Sequence, residues 1–415
     1  MAFNYEINQL ELMQARIKSV PHGWQFTYVG KAFCIRNNLR KPISEEERSM
    51  SPGNYPYYGP TKIQGYIGTF EQDGSYALIG EDGDHFLKFE KHSMTQLVDG
   101  KCTVNNHAHI IEGTKEASRE WFYYYFMHRD IFSFLSRQGA GRYKLNKASL
   151  EKMPLLLPPI VEQKKIAQIL STWDKAISVT EKLLTNSQQQ KKALMQQLLT
   201  GKKRLLDERG VRFSGEWKRV KLGAIADMNS GGTPKSTVEE YYGGNIPWVS
   251  ISDMTSNGKW IATTEKYLTE LGLNSSSARI YPKNSVLYAM YASIGECSIA
   301  AVNLTSSQAI LGIRPKDCLN YEFLYFYLTS LKEKIKLQGQ QGTQSNLNAG
   351  MVKEFELDLP SIREQQKIAA VLSVADAEIS TLEKKLACLR DEKKALMQQL
   401  LTGKRRVKVD EAVAE

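Results

Sequence analysis

The chain has 415 residues, 42% of them hydrophobic and 10% aromatic, enough for two or three domains with apolar cores. Its net charge of +10 suggests an anionic partner, but the excess is local: 11 basic against 5 acidic residues at 158–214, compared with 19 against 17 at 1–157, 14 against 14 at 215–359 and 11 against 9 at 360–415. No apolar run approaches the ~18 residues of a membrane helix, and the start lacks a signal-peptide pattern, so a soluble, cytoplasmic protein is expected. The cysteines (Cys34, Cys102, Cys297, Cys318 and Cys388) are odd in number and never form CxxC, which argues against a disulfide framework or zinc site; they read as reduced packing residues.

Residues 1–20 form a leader with a helical pattern and no assigned role. Up to residue 157, short segments punctuated by Gly, Pro and Asn, such as DGSYALIGEDGDHFLKFEKH, predict strands and turns, and the aromatic run EWFYYYFMHRDIFSFLSR predicts a helix. In VNNHAHIIEG the spacing would set His107 and His109 on one face of a strand. A metal site there needs ligands the sequence does not supply, and a structural or nucleic-acid-contacting pair fits better. Glu81, Asp82, Asp84 and Glu90 lack the spacing of a metal-nuclease core and read as a solvated turn.

After Pro158-Pro159 a long helix is expected over 158–203. Its seam of alternating steps of four and three runs Ile166, Leu170, Trp173, Ile177, Thr180, Leu184, Ser187, Lys191, Leu194, Leu198, with Glu162 early and Gly201 as the stop. A linker and a second strand-rich part follow at 204–359, closing on the helical run YEFLYFYLTSLKEKIKL. A second long helix is expected over 360–406, with the seam Ile368, Leu372, Ala375, Ile379, Leu382, Leu386, Leu389, Lys393, Leu396, Leu400, and residues 407–415 form a tail.

The two halves are related. KKALMQQLLTGK occurs at 191–202 and again at 393–404, an offset of 202, and PPIVEQKKIAQIL aligns with PSIREQQKIAAVL without a gap. Upstream, Leu145-Asn146 meets Leu347-Asn348 and EWFYYYF meets EFLYFYL at the same offset. A period this long is a tandem duplication of a whole module, and matched seams favour the two helices packing on each other. The expected fold class is α+β: two globular domains alternating with two long helices that pair as an antiparallel coiled coil, with an internal pseudo-two-fold duplication. Neither a Walker A motif nor a GxGxxG after a strand is present, and LPPI at 157–160 lacks both the polar first and the aromatic last residue of the amino-methyltransferase motif. Nothing in the chain argues for catalysis.

These repeated helices, together with SGGTPKSTVEEYYGGNIPWVSISDM from Ser230, closely resemble the specificity subunits of type I restriction-modification systems. YPYYGPTKIQGYIGTF, ALIGEDGDHF and VNNHAHIIEG look like a recurring recognition-domain type of that family. The leader is the departure from its pattern. The resemblance implies a non-catalytic DNA-reading subunit: each domain reads one half of a split, asymmetric double-stranded DNA site, and the coiled coil sets the gap. It further implies two methyltransferase subunits that bind S-adenosylmethionine and methylate adenine N6, restriction subunits that use ATP and Mg, and no cofactor in this chain. A coiled-coil protein binding DNA without sequence preference is the alternative.

Candidate contacts in the first domain are Tyr57, Tyr58 and Lys62 in a Gly/Pro-rich loop, then Asn106 and His107. Arg142, Tyr143 and Lys144 align at the offset with Gln344, Ser345 and Asn346, different chemistry at equivalent positions, as two different half-sites would require. In the second domain Gly232, Thr233, Lys235 and Ser236 could bring backbone and donors to phosphates, although a plain turn explains them equally. Trp248 could face a groove or fill a core, with Ser250 and Ser252 alternating on the strand after it.

Overall fold

A computed structural model describes residues 17, 19–137, 141–340 and 347–408. The chain divides into two compact units, one made of 1–180 with 385–415 and the other of 181–384.

In the first unit, β1 (Gln25–Tyr28) pairs antiparallel with β10 (Pro154–Leu157), closing the ends of the globular part on each other. Between them, β2 (Cys34–Ile35), β3 (Pro52–Tyr58), β4 (Ile63–Ile67), β5 (Gln72–Gly80), β6 (Thr95–Val104) and β7 (Ala108–Glu112) form a six-stranded sheet in the order β2-β7-β5-β6-β3-β4. A small antiparallel pair, β8 (Ser136–Arg137) with β9 (Tyr143–Lys144), joins the end of β5 through a bridge between Asp82 and Lys144. The aromatic run is helical only over Arg119–Phe126, which is shorter than expected. Met127 O is taken by Met94 N (3.0 Å), and Asp130 Oδ1 accepts from Phe132 N (2.9 Å), so competing bonds end the helix and turn the chain. Trp121, Phe122 and Phe126 are fully buried against Ile79, Met94 and Ile111. The same core takes in Ile166, Ala167 and Leu170 from the start of the first long helix (Ile160–Leu198), and Met397, Leu400 and Leu401 from the end of the second (Ile362–Leu400).

The second unit repeats the plan. β11 (Lys218–Lys221) pairs with β20 (Glu356–Leu359), as β1 does with β10. β12 (Ala226–Ser230), β14 (Trp260–Ile261), β16 (Val286–Ala289), β17 (Cys297–Ala300) and β19 (Ile310–Pro315) make a five-stranded sheet ordered β12-β19-β16-β17-β14. β13 (Tyr242–Val249), β15 (Lys266–Leu268) and β18 (Thr305–Ser306) form a three-stranded one ordered β15-β13-β18. Phe323 and Phe326, on the helix Tyr321–Gln340, pack with Tyr288 and Ile313, with Leu198 from the end of the first long helix, and with Ile368 and Leu372 from the start of the second. In both units, therefore, the start of one long helix meets the end of the other, which is antiparallel pairing. Every seam position is buried or half-buried, including Trp173, Ile177, Leu184, Leu194, Ile379, Leu382, Leu386 and Leu396. Gly201 and Gly403 stop the helices at φ +69° and +70°, where other residues are strained.

Three expectations are corrected by the packing. Glu162 and Glu364 are more than helix-start charges: they are 3% and 1% exposed, and each holds an arginine just past the end of the facing helix. Arg406 donates to Glu162 (2.7 and 2.8 Å), as does Trp24 Nε1 (3.0 Å). In the other unit Arg204 donates to Glu364 (2.6 and 2.7 Å), joined by Trp217 Nε1 (3.2 Å). Second, the serines after β13 do not continue a strand. Ser250 caps the helix Ile251–Asn257, exchanging hydrogen bonds with Asp253 in a capping box. Third, Cys34, Cys318 and Cys388 are exposed rather than packed; all five cysteines are free thiols.

The basic break in each seam also acquires a reason. Lys393 pairs with Asp174 (2.5 Å) and Lys191 with Asp376, again related by 202 positions. Asp174 accepts a second bond from Tyr124 OH (2.7 Å), and burial together with that carboxylate pushes the phenol far above its ordinary range, keeping it a donor. Position 326, which corresponds to Tyr124, is Phe, and Asp376 Oδ2 is buried without a protein donor among the described residues. Phe326→Tyr is therefore expected to supply the missing O–H and raise stability by about 1 kcal/mol, read as a higher melting temperature. An unchanged or lower one would refute this account.

Candidate nucleic-acid interface

The first domain gathers most of its predicted contacts at one end of the six-stranded sheet. Asn105 N donates to Tyr58 O (3.0 Å) and Asn105 Nδ2 to Gln64 Oε1 (2.9 Å), tying the β3–β4 hairpin, which carries exposed Lys62 at its turn, to the β6–β7 turn with Asn106 and His107. His107 is half-exposed and bonds Asp82 Oδ2 through Nδ1 (2.8 Å). It lies in the turn ahead of β7, so it does not share a strand face with His109. That second histidine is 1% exposed, between Asn37 (2.8 Å) and Leu145 O (2.7 Å), and burial lowers its pKa. Gly83 N donates to Tyr143 O (3.0 Å), bringing in the β8–β9 hairpin with exposed Arg142 and Lys144; the Arg137 guanidinium lies over the Tyr143 ring at 4.9 Å. Tyr57 is not at this surface. It is 2% exposed, its hydroxyl accepting from Ile43 N (2.9 Å), and the Tyr58 ring packs against the core.

Glu81 sits at the centre of these loops and is no solvated turn residue. Its side chain, 14% exposed, pairs with Arg40 and with Lys144 Nζ (3.2 Å). Its N–H donates to His107 O (2.8 Å), and its carbonyl accepts from Leu145 N (2.7 Å). Burial raises the carboxyl pKa, but the bonds from Arg40 and Lys144 and the field of His109 outweigh it and leave the group below the ordinary carboxylate range. Arg40 Nη1 also donates to Asn106 O (3.0 Å). Neither Arg40 nor Arg137 was among the sequence candidates.

In the second domain Gly232 is buried and does not offer backbone to a phosphate: a Cβ there would lie 2.2 Å from Ala278 N, and its N–H donates to Ser306 O (2.9 Å). Trp248 is 8% exposed and anchors the same loop through Nε1 to Gly232 O (2.9 Å), while Tyr242 OH holds Pro234 O (2.8 Å). The loop is thus pinned from below, and Thr233, Lys235 and Ser236 are exposed on top, Thr233 donating to Gln308. Arg279, missed from sequence, is exposed beside Ala278. Ser250 is occupied by its cap. Gln344, Ser345 and Asn346 lie outside the described residues. Leu347 N donates to Met290 O (3.2 Å), the bond that Leu145 makes to Glu81, so the end of β16 corresponds to the end of β5.

Among the described residues no group of three or more His, Cys, Asp or Glu could hold a metal ion, and no helix is long and apolar enough to cross a membrane. The sequence profile of the type I restriction modification DNA specificity domain matches twice, at 21–186 and 214–389. The chain belongs to this family. The putative MjaX specificity subunit of Methanocaldococcus jannaschii is 24% identical over 420 residues, covering 95% of this chain and 96% of that protein. The MjaIX specificity subunit of the same organism is 36% identical over 172 residues, 41% of this chain and 40% of that one. In fold, the chain is similar to the crystal structure of the type I restriction-modification S subunit from M. genitalium: TM-score 0.64, 15% identity, 92% of this chain and 97% of that one. As a specificity-family member it carries two DNA recognition domains, and the pinned loops above are their exposed polar ends.

Proposed function

We propose that this chain is the non-catalytic, DNA-reading subunit of a cytoplasmic type I restriction-modification complex. Each domain reads one half of a bipartite, asymmetric site, and the paired helices hold the halves at a set gap. Two methyltransferase subunits, binding S-adenosylmethionine, dock on the equivalent helix ends and flip and methylate adenine at N6, while restriction subunits powered by ATP with Mg cleave unmodified DNA. The chain itself needs no cofactor under this reading. The observation that carries it is the duplication: identical helix ends and matching Arg–Glu–Trp and Lys–Asp contacts support two copies of one partner, while the exposed loops differ between domains, as two half-sites demand. Exposed Arg137, Arg142 and Lys62 in one domain and Lys235 and Arg279 in the other suit phosphate contacts that set position, leaving neighbouring amides and hydroxyls to read base edges.

The test is a single-molecule map of N6-methyladenine in genomic DNA with and without the gene. Loss of one gapped, asymmetric motif is the expected result. If purified complex binds all duplexes equally, with salt alone setting affinity, the chain is a non-specific coiled-coil DNA binder instead.

A further inference from the structure

Among the described residues, Glu81 is the carboxylate that ties together all three loops of the first domain's polar end. It bonds Arg40 from the turn after β2 and Lys144 from the β8–β9 hairpin, while its backbone bonds His107 and Leu145. Two of the cations nearest the exposed loops thus share the charge of one half-buried acid. Among the described residues, the equivalent backbone node of the second domain is Met290, whose side chain is apolar and 2% exposed. An acid amid cations weakens their grip on phosphates, so its presence calls for another return. That return is geometric: Lys144 held on Glu81 fixes the hairpin carrying Arg137, Arg142 and Tyr143, and Arg40, bonded also to Asn106 O, fixes the turn before His107.

We infer that Glu81 is a positioning residue for DNA reading by the first domain, trading non-specific affinity for discrimination at one half-site. This rests on the function proposed above. Replacing the acid with a neutral isostere frees the half-exposed Lys144 to engage phosphates, while both the hairpin and Arg40, still bonded to Asn37 O and Asn106 O, lose their tie to the end of β5. Binding to random duplex then strengthens and its salt dependence steepens by about one unit per released cation. Preference for the correct first half-site falls, and preference for the second, built without this acid, is kept.

The experiment measures binding of the complex of the full chain with its methyltransferase subunits to three duplexes: the intact site, a site with only the first half scrambled, and one with only the second half scrambled. Wild type is compared with Glu81→Gln. The expected result is a loss of tenfold or more in discrimination at the first half, an unchanged second half and a steeper salt slope. A residue that served only folding would lower the melting temperature and weaken the first half with no gain in random-duplex binding and no steeper salt slope. If Glu81→Gln does not assemble, Lys144→Met tests the same link from the hairpin side, with loss at the first half but no gain in random-duplex binding. Unaltered first-half discrimination in the assembled variant overturns the inference. Wild type that prefers neither half would instead overturn the functional reading itself.

Discussion

Exchanging residues 215–359 for the corresponding domain of another family member is expected to change one half of the methylated motif and leave the other half and the gap as they were. The second unit explains why the exchange should be tolerated. Its globular part is closed on itself by the β11–β20 pair and meets the long helices at Trp217 to Glu364, Lys259 and Glu322 to Ser373, Cys318 and Asn320 to Gln365, and the Phe323–Phe326 face against Leu198, Ile368 and Leu372. A donor domain with Trp and aromatic residues at those places supplies the same seat. The effect is large because each mismatched base pair costs about 1–3 kcal/mol, so a half-site of several changed bases loses a thousandfold or more in affinity. Mapping N6-methyladenine in cells carrying the chimera reads both halves at once. A chimera that still marked both original halves would refute the assignment of one half to each domain.

Much of the fold was legible because it is written twice. A seam repeated at a constant offset, prolines ahead of it and glycine after it specify two matched helices, and their pairing follows from apolar stripes that each need a partner. What the seam withheld was the partner of its basic break. Asp174 and Asp376 sit one position beyond the stripe, and only the antiparallel arrangement brings them to Lys393 and Lys191. The Ser250 error had a remedy in the sequence: SISD is a capping box, a local signal that outweighs two residues of alternation. Glu81 had none. Its partners are 41 and 63 positions away along the chain, and a carboxylate among EDGD residues looks solvated until the β5 end is packed against the β6–β7 turn and the β8–β9 hairpin. The same limit applies to Gly232, pressed against the Ala278 backbone and bonded to Ser306, and to Trp248, buried with its Nε1 on Gly232 O.

Arg406→Ala is expected to destabilise the first unit by about 3 kcal/mol, because it strands a buried carboxylate. Glu162 is 4% exposed in its side chain and receives both bonds of the Arg406 guanidinium, with the Trp24 indole as its one other described donor. Truncation leaves a buried carboxylate facing a single neutral donor, and that residual charge costs more than the lost pair itself is worth. Arg406 also caps His22 O (2.6 Å) and lies over the Trp24 ring at 5.7 Å, so the change loosens the start of the domain where β1 begins. Arg406→Lys keeps the charge but not the two-pronged geometry, and should fall between wild type and alanine. Glu162→Leu combined with Arg406→Leu should recover most of the loss by removing both charges. Arg204→Ala is the internal comparison. Its partner Glu364 is equally buried, but only 12 residues separate Arg204 from Trp217, so the chain itself still tethers helix end to domain start and the loss should be smaller. Urea unfolding of the four variants orders them. If Arg406→Ala costs under 1 kcal/mol, or the double leucine variant is less stable than the alanine one, the buried carboxylate is not what makes this contact matter.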